Sequence, residues 1–392
     1  MKKILFLGFV FLLLLAISFY FQLTNSTINQ NIWLTNIHIF VWSFRVLSIL
    51  VASIVFCISI MLILLVFILF NRRKMEKRVI LKDKILVRYQ SLLMDYLQGK
   101  DSTENLKYFS DISRFEKQIL INEMTDFALN LKGEQFYKLK NLYYELNFHL
   151  ETFRKLKSRQ WHKKIKAFKE LYAMNITEKN DEILKYVNSK NDILRMEAQI
   201  ALVYLSKETK PFEFLSDISY PFSLWEQITL HQIMIQREMK PPDFGKWLSH
   251  ENRTVVMFSL RMIREFKQIQ NASKIEELMN HPNEEVRKLA IEVMGDLKLT
   301  EVLANIKIHY KDETKENCLE MIKSMGKAPD PSLIGFLQMV IDREEDADVL
   351  IEAMKAINNM GEIGNQALKK MMDSEYKNYN IIIKHVLDRR IN

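Results

Sequence analysis

Two short stretches carry residue types that bind metal ions. His250 and Glu251 are adjacent, and "DREEDAD" (342–348) holds five acidic residues. The other histidines are scattered, and neither H-E-x-x-H nor C-x-x-C occurs. A calcium loop also needs spaced oxygen ligands and a glycine for its sharp turn, which "DREEDAD" lacks. We therefore predict no metal site: His250 is a turn residue and Asp346 caps a helix.

The sequence also lacks the motifs of several large enzyme classes. It contains no G-x-x-x-x-G-K-[ST] phosphate loop, no G-x-G-x-x-G dinucleotide fingerprint and no G-x-S-x-G nucleophile elbow. Its two cysteines lie far apart, which excludes a disulfide framework. We predict no catalytic residues and no cofactor.

A basic stretch is the strongest candidate for a ligand contact. Residues 153–169, "FRKLKSRQWHKKIKAFK", contain eight basic residues and no acidic one. In one interpretation Trp161, Ile165 and Phe168 pack inward from an amphipathic helix and the charges are solvated. In the other, the stretch binds an anionic partner: lipid headgroups, an acidic protein or nucleic acid. The candidate contacts are then Arg154, Lys155, Arg159, Lys163, Lys164 and Lys166.

Two uncharged runs near the N-terminus predict membrane helices. Residues 4–23 and 47–70 have 20 and 24 residues without a charge, and about 20 can cross a bilayer core. The second run precedes five basic residues at the membrane interface: Arg72, Arg73, Lys74, Lys77 and Arg78. The positive-inside rule then predicts a two-pass hairpin, residues 1–70, with both termini cytoplasmic and the linker 24–44 outside. A cleaved signal peptide at residues 1–20 is the alternative.

The composition of the whole chain favours helices. Gly (9) and Pro (7) are scarce among the 392 residues, and the hydrophobic content is 48%. The formal net charge of +8 is small for this length, so it does not indicate nucleic-acid binding.

A pattern about 31 residues long recurs after residue 155. "NSKNDILRMEAQIALVYL" from Asn188 and "NHPNEEVRKLAIEVMGDL" from Asn280 share five identities, and the alanine of this motif defines a marker position. Steps of about 31 residues give seven markers: Ala167, Ala198, Thr229, Ser259, Ala290, Met321 and Ala353. Apolar residues at helical spacing surround the markers, and a shorter apolar stretch follows each one. The pattern predicts repeated helix pairs that stack on one another.

Capping residues fit the predicted helices. Asn191 and Asn283 stand where N-caps belong. Gly295, Gly326 and Gly361 stand where the helices end, a usual place for a left-handed residue.

The motif resembles a known repeat family. Its carrying residues are Asn191, Leu194, Arg195 and Ala198, and Asn283, Val286, Arg287 and Ala290. They look like the short, PBS-lyase-type HEAT repeats of bacterial proteins. The resemblance covers about residues 155–373 and implies a right-handed α-solenoid of about seven helix pairs, in which Asn is a cap, Arg an inter-repeat contact and Ala a packing site. Some HEAT-repeat hydroxylases build a di-iron site from several His-Glu pairs, whereas this chain has one.

The predicted chain is therefore all-α, with four parts. A transmembrane hairpin (1–70) leads into a helical adaptor (71–154), which includes helices over 114–131 and 134–156. The HEAT-like repeats (155–373) follow. A C-terminal capping helix (374–392) ends the chain, with an apolar side formed by Ile381, Ile382, His385 and Val386.

The function predicted from this organisation is a non-catalytic, membrane-tethered scaffold that binds a protein partner in the bacterial cytoplasm. The resemblance implies a membrane glycosyltransferase of envelope polysaccharide synthesis as that partner. One alternative is a HEAT-fold enzyme, lyase- or glycosylase-like. Another is anionic-lipid or nucleic-acid binding through residues 153–169, of which nucleic acid is disfavoured by the membrane hairpin.

Overall fold

The computed structural model describes residues 34–99, 109, 112–206, 212–372 and 379–388. Every regular element in these ranges is a helix, and none of these residues forms a β-strand. The chain divides into two compact parts, an N-terminal segment (Met1–Leu120) and a C-terminal segment (Ile121–Asn392). The predicted all-α class is confirmed. The predicted helix 4–23 lies outside the described residues.

One long helix, α1 (Leu34–Leu97), forms most of the described N-terminal segment. It contains the apolar run 47–70 but extends beyond it at both ends, so residues 34–44 are helical where the sequence predicts part of a linker. The chain has neither glycine nor proline between Gly8 and Gly99 to interrupt the helix. Gly99 follows its end with a φ of 74°. By length and composition, α1 can cross a membrane.

The two ends of α1 have different surroundings. Most large apolar side chains of the run 47–70 are exposed. Near the C-terminal end, Tyr89, Leu93 and Leu97 are buried at four-residue spacing. The Tyr89 ring stacks on Phe109 with 6.2 Å between centroids. Only this end of α1 therefore contributes to a protein core among the described residues.

The C-terminal segment consists of short helices. Helix α2 (Arg114–Asn130) contains the division between the two segments, which falls after Leu120. The following α-helices are α3 (Glu134–Glu145), α4 (Phe148–Leu156), α5 (Trp161–Ala173), α6 (Asn180–Leu184), α7 (Asp192–Leu205), α8 (Leu224–Gln236), α9 (Arg253–Glu265), α10 (Ala272–Glu277), α11 (Glu284–Asp296), α12 (Thr300–Ile306), α13 (Lys315–Lys327), α14 (Ile334–Arg343), α15 (Ala347–Asn358), α16 (Gly361–Met372) and α17 (Asn380–Leu387). Short 3₁₀ turns at Glu213–Asp217 and Phe244–Trp247 stand where the second helix of a pair is expected.

The seven marker positions all fall on α-helices, which we call the period helices: α5, α7, α8, α9, α11, α13 and α15. Six markers are fully buried: Ala167, Ala198, Ser259, Ala290, Met321 and Ala353. On α8 the marker prediction is wrong by one residue, because Leu230 is fully buried whereas Thr229 is partly exposed.

The helix starts explain this shift. Six period helices begin with a side-chain N-cap seven residues before the buried marker: Asn191, Ser223, Asn252, Asn283, Thr314 and Asp346. The predicted caps are confirmed: Asn191 Oδ1 accepts from Leu194 N at 2.9 Å, and Asn283 Oδ1 accepts from Val286 N at 3.2 Å. A capping box at Ser223 sets the start of α8, and seven residues on lies Leu230.

The helix ends correct a second prediction. Gly295 and Gly326 lie within helices α11 and α13 rather than in left-handed conformations. The residues with positive φ after period helices are Asn175, Glu238, Lys267, Lys298 and Gly361. Gly295 instead permits a close helix approach: a Cβ there would lie 2.6 Å from Ser324 Oγ and 2.8 Å from Ser324 Cα.

Helices one period apart are neighbours. Helix α5 contacts α7, α9 contacts α11, α11 contacts α13, and α13 contacts α15. Hydrogen bonds recur at about the same sequence separation. Ser324 Oγ on α13 donates to Ile291 O on α11 at 2.9 Å across 33 residues. Between the two 3₁₀ turns, Trp247 Nε1 donates to Ser216 Oγ at 2.9 Å across 31 residues. The repeat in the sequence is thus a repeat of tertiary contacts.

The two motif arginines form ion pairs between successive repeats. Arg195 Nε donates to Glu226 Oε1 at 2.7 Å, and both side chains are buried. Arg287 Nε donates to Glu313 Oε1 at 2.5 Å. Each arginine also donates from Nη1 to the carbonyl six residues before it at 2.8 Å. The predicted role of both arginines as inter-repeat contacts agrees with this geometry.

Non-repeat helices pack at both ends of the period helices. Helix α4 contacts α5, and α17 contacts α15. The predicted helix 134–156 is split at Asn147, which has a φ of 55°. The buried face of α17 contains Ile383 and Val386, whereas Ile381 and His385, predicted to face the protein, are exposed.

We predict that Gly295→Ala destabilises the protein by about 1 to 3 kcal/mol, because the added Cβ meets the Ser324 backbone and one of the helices must move. Gly335→Ala is the matched control. A Cβ on Gly335, in α14, has no atom within 4 Å, so this change should leave stability unchanged or raise it by up to about 1 kcal/mol. Denaturant unfolding of both variants measures the difference. Equal effects would contradict the close approach.

Arg195→Met should lower the free energy of unfolding by about 3 to 5 kcal/mol, because it leaves the buried Glu226 carboxylate without its cation. The double variant Arg195→Met/Glu226→Leu should recover only part of that loss, because no unpaired charge then stays buried but the capping box of Ser223 and Glu226 is also removed. A double-mutant cycle from denaturant unfolding measures the coupling. Additive losses would show that the ion pair does not join the two helices.

Candidate functional site

The basic stretch 153–169 is divided between the core and the surface. Lys155 Nζ lies 2.5 Å from Glu170 Oε1, and both residues are buried. Thr152 Oγ1 donates to the other carboxylate oxygen at 2.6 Å and also hydrogen-bonds Tyr143. This network joins α4 to α5. Lys155 is therefore a structural residue, which corrects its predicted place among the surface contacts.

Other members of the stretch are also held by the protein. Lys164 Nζ donates to Leu156 O at 3.1 Å and to Tyr186 OH at 2.6 Å. Arg154 pairs with Glu151. Lys166 is only partly exposed. The side chains of Lys164 and Arg154 are therefore less available to bind an external anion.

Five exposed residues between the end of α4 and the first turn of α5 are called the basic loop: Lys157, Arg159, Trp161, His162 and Lys163. Arg154 and Lys169 are also exposed, but they pair with Glu151 and Glu197. Trp161 was expected to pack inward but is 43% exposed, and its ring meets His162 edge to face with 5.9 Å between centroids. It is the first residue of α5, before the turn at which Ala167 and Phe168 enter the core. The inward packing predicted for Phe168 is confirmed, and that for Trp161 is wrong.

The five basic residues predicted at the membrane interface, Arg72, Arg73, Lys74, Lys77 and Arg78, are all exposed on α1 directly after the apolar run. Arg72 Nε lies 3.1 Å from Glu76 Oε1 one helical turn on. An exposed pair of this kind contributes little stability, so the basic charge stays available to the surroundings.

One exposed surface, which we call the apolar patch, was not predicted from the sequence. It comprises Ile193 (51% exposed), Tyr220 (39%), Leu224 (59%), Trp225 (68%) and Ile228 (42%). Three of these residues lie within the first turns of α8, and Ile193 lies at the start of α7, which contacts α8. The signal that could have shown this patch is the N-cap Ser223, which puts the marker of α8 at Leu230 rather than Thr229. The position four residues before a marker is predicted to be buried. With the marker at Leu230, that position is Glu226, and Trp225 is exposed.

The buried Arg195 supports this patch. Its guanidinium lies 4.5 Å from the Tyr220 ring centroid while it pairs with Glu226 on α8. Asn188 Oδ1 also accepts from Tyr220 N at 3.0 Å. The backbone that carries the patch is therefore held by the buried Arg195–Glu226 pair between α7 and α8 and by the exposed Asn188–Tyr220 hydrogen bond in the turns before them.

A cleft of about 490 Å³ lies among the later repeats. It is lined by Tyr310, Lys311, Glu313, Lys315, Cys318, Met339, Val340, Arg343, Glu344, Asp346 and Val349. The carboxylate of Glu313 is engaged by Arg287, and that of Asp346 caps α15 and pairs with Lys315. These acids hold the fold together, so the cleft offers no free acid–base pair from them.

His250 and Asp346 lie in the turn and at the helix start that the sequence predicts for them. His250 Nδ1 accepts from Asn252 N at 2.9 Å, just before α9. Asp346 Oδ1 accepts from Val349 N at 3.3 Å, as the predicted cap. Among the described residues, no three His, Cys, Asp or Glu side chains converge in a way that could hold an ion.

Comparisons with known proteins give little further information. No protein-family model and no curated protein matches the chain. An engineered protein is similar in structure over 55% of this chain and 97% of its own, with 14% identity and a TM-score of 0.29. Human deoxyhypusine hydroxylase in complex with glycerol is similar over 70% and 96%, with 12% identity and a TM-score of 0.28. At these TM-scores neither likeness bears on function.

Cys318, in the cleft, should behave as a buried structural thiol. Burial, with the nearby carboxylates of Glu313 and Glu344, raises its pKa to about 11. In a Cys57→Ser variant, its alkylation rate should therefore rise about tenfold per pH unit between about pH 8 and pH 10. The unfolded variant is the control, and its rate should level off above about pH 9. A folded-state rate that is already constant at about pH 8 would contradict the buried thiol.

Proposed function

We propose that the protein is a non-catalytic, membrane-tethered scaffold whose repeat region binds a protein partner on the cytoplasmic side of a bacterial inner membrane. Helix α1 supplies the tether, the period helices supply a HEAT-like α-solenoid, and the apolar patch supplies the contact. The exposed apolar patch is the observation that carries the proposal.

Exposure and charge along α1 support the tether. The 24 residues of the run 47–70 span about 36 Å as a helix, enough for a core of about 30 Å. Their apolar side chains are exposed in the isolated chain, and lipid would cover them. The basic residues from Arg72 to Arg78 then remain in the cytoplasm. In this topology the repeats share that compartment.

The contacts between helices one period apart support the solenoid. Six of the seven markers are fully buried, and α5, α9, α11 and α13 each contact the period helix that follows. Shorter helices or turns follow the period helices, as expected for helix pairs. Arrays of this kind offer an extended surface rather than a deep pocket, which suits a protein partner.

The apolar patch supports a protein contact. Large aromatic and aliphatic side chains that stay together in water lower solubility, and such patches mark interaction surfaces. Trp225 is the most exposed member at 68%, and tryptophan is the residue type that most often dominates binding energy. The fixed backbone beneath it limits the entropy lost on binding. For the partner, the HEAT resemblance implies a membrane glycosyltransferase.

The test is site-specific photocrosslinking in membranes of the source cell, with a benzoylphenylalanine at position 228, at the edge of the patch, so that Trp225 is kept. We expect one discrete adduct with a membrane protein, identified by mass spectrometry. It should weaken at least about tenfold when Leu224→Ala and Trp225→Ala remove apolar contacts. A crosslinker at position 288, where exposed Lys288 lies on α11, is the matched control. No adduct at 228, or the same adduct from 288, would overturn the proposed contact. An adduct with another protein class would overturn only the glycosyltransferase assignment.

A further inference from the structure

The basic loop has the composition of a bilayer-contact surface. Between residues 153 and 169 the chain has no acidic residue. Arg159 and Lys163 are exposed on either side of Trp161. Side chains of this kind combine at membrane interfaces, where tryptophan sits at headgroup level and basic residues meet lipid phosphates.

Three carboxylates near this surface in the sequence or by their interactions pair with basic residues outside the basic loop. Glu151 and Glu170 are paired with Arg154 and Lys155, members of the stretch that lie outside the basic loop. Glu182 is paired with Lys179 at 2.8 Å. Lys157 and Lys185 also lower the pKa of Glu182, after the larger effect of the Lys179 hydrogen bond. Three lysines therefore surround one carboxylate beside the loop, and the local charge is positive.

We propose that the basic loop makes a second contact with the membrane, by docking Trp161, Arg159 and Lys163 on anionic phospholipid headgroups. The proposal requires the tether in α1 but not the partner at the apolar patch, which involves other residues. The occupant is a bilayer surface rather than a soluble anion, because the exposed indole lies among the charges and gains from leaving water.

A tethered chain makes such a weak contact effective. One basic residue near an anionic surface strengthens binding about fivefold. Two or three such residues give modest affinity for a free protein. Tethering to the same bilayer raises the local lipid concentration, so the contact becomes intramolecular. Its strength should fall at high salt, since the charges are exposed.

The experiment uses the full chain in lipid nanodiscs, with phosphatidylcholine alone or mixed with phosphatidylglycerol. A doxyl group high on the acyl chain quenches tryptophan at the interface. The chain has five tryptophans, so the quenching of Trp161 is obtained as the difference in fluorescence quenching between the wild type and Trp161→Phe. We expect quenching of Trp161 only with phosphatidylglycerol, and its loss at about 1 M salt. Glycerophosphate should not displace the contact.

The charge-reversal pair Arg159→Glu/Lys163→Glu should weaken the contact by at least about 25-fold. Lys288→Glu/Lys323→Glu changes the net charge equally at exposed positions on α11 and α13 and should leave quenching unchanged. Circular dichroism checks that each variant keeps its helices. Equal quenching in phosphatidylcholine, none in either lipid, or quenching that survives the reversal would overturn the proposal. Oligonucleotide binding that needs Arg159 and Lys163, without lipid quenching, would overturn it in favour of nucleic acid.

Discussion

Burial of the period helices against neighbours one period away is the constraint on which most of the repeat region depends. A helix of about 13 residues, such as α11, has too few neighbours within its own pair to cover its apolar face. Its marker, Ala290, is fully buried, and its Gly295 leaves room for Ser324 on α13. Small residues such as Ala290 and Gly295 allow successive helices to pack close together. The distance between the helices in turn affects which side chains are exposed.

Buried charges add direction to this apolar packing. Arg195 and Arg287 each join a backbone carbonyl of their own repeat to a glutamate of the next. A buried ion pair adds little net stability, because desolvation offsets attraction, but a misplaced partner is costly. The pairs therefore select one register between neighbours. Lys155 and Glu170 form a similar buried pair between α4 and α5.

Local signals and the repeat period could be predicted from the sequence, whereas the partners of several individual side chains could not. Asn191 and Asn283 cap helices because the capping bond forms within one turn. Lys155 and Trp161 looked alike in sequence, as members of an amphipathic stretch. In the structure their burial is the reverse of that prediction. Lys155 is buried because it pairs with Glu170, and Trp161 is exposed because it is the first residue of α5. Gly295 was predicted to end a helix because the residues next to it in the sequence do not show that Ser324 packs against it.

The late start of α8 has a consequence for how such a surface can arise. In an α-helix one residue corresponds to about 100° of rotation. Advancing α8 by one residue turns Trp225 away from the interior and brings Glu226 to Arg195. A gain or loss of one residue in the preceding turn thus changes which residues of the helix are buried and which are exposed. A repeat array can acquire a recognition surface through its turn lengths, while the composition of its helices stays that of any other repeat.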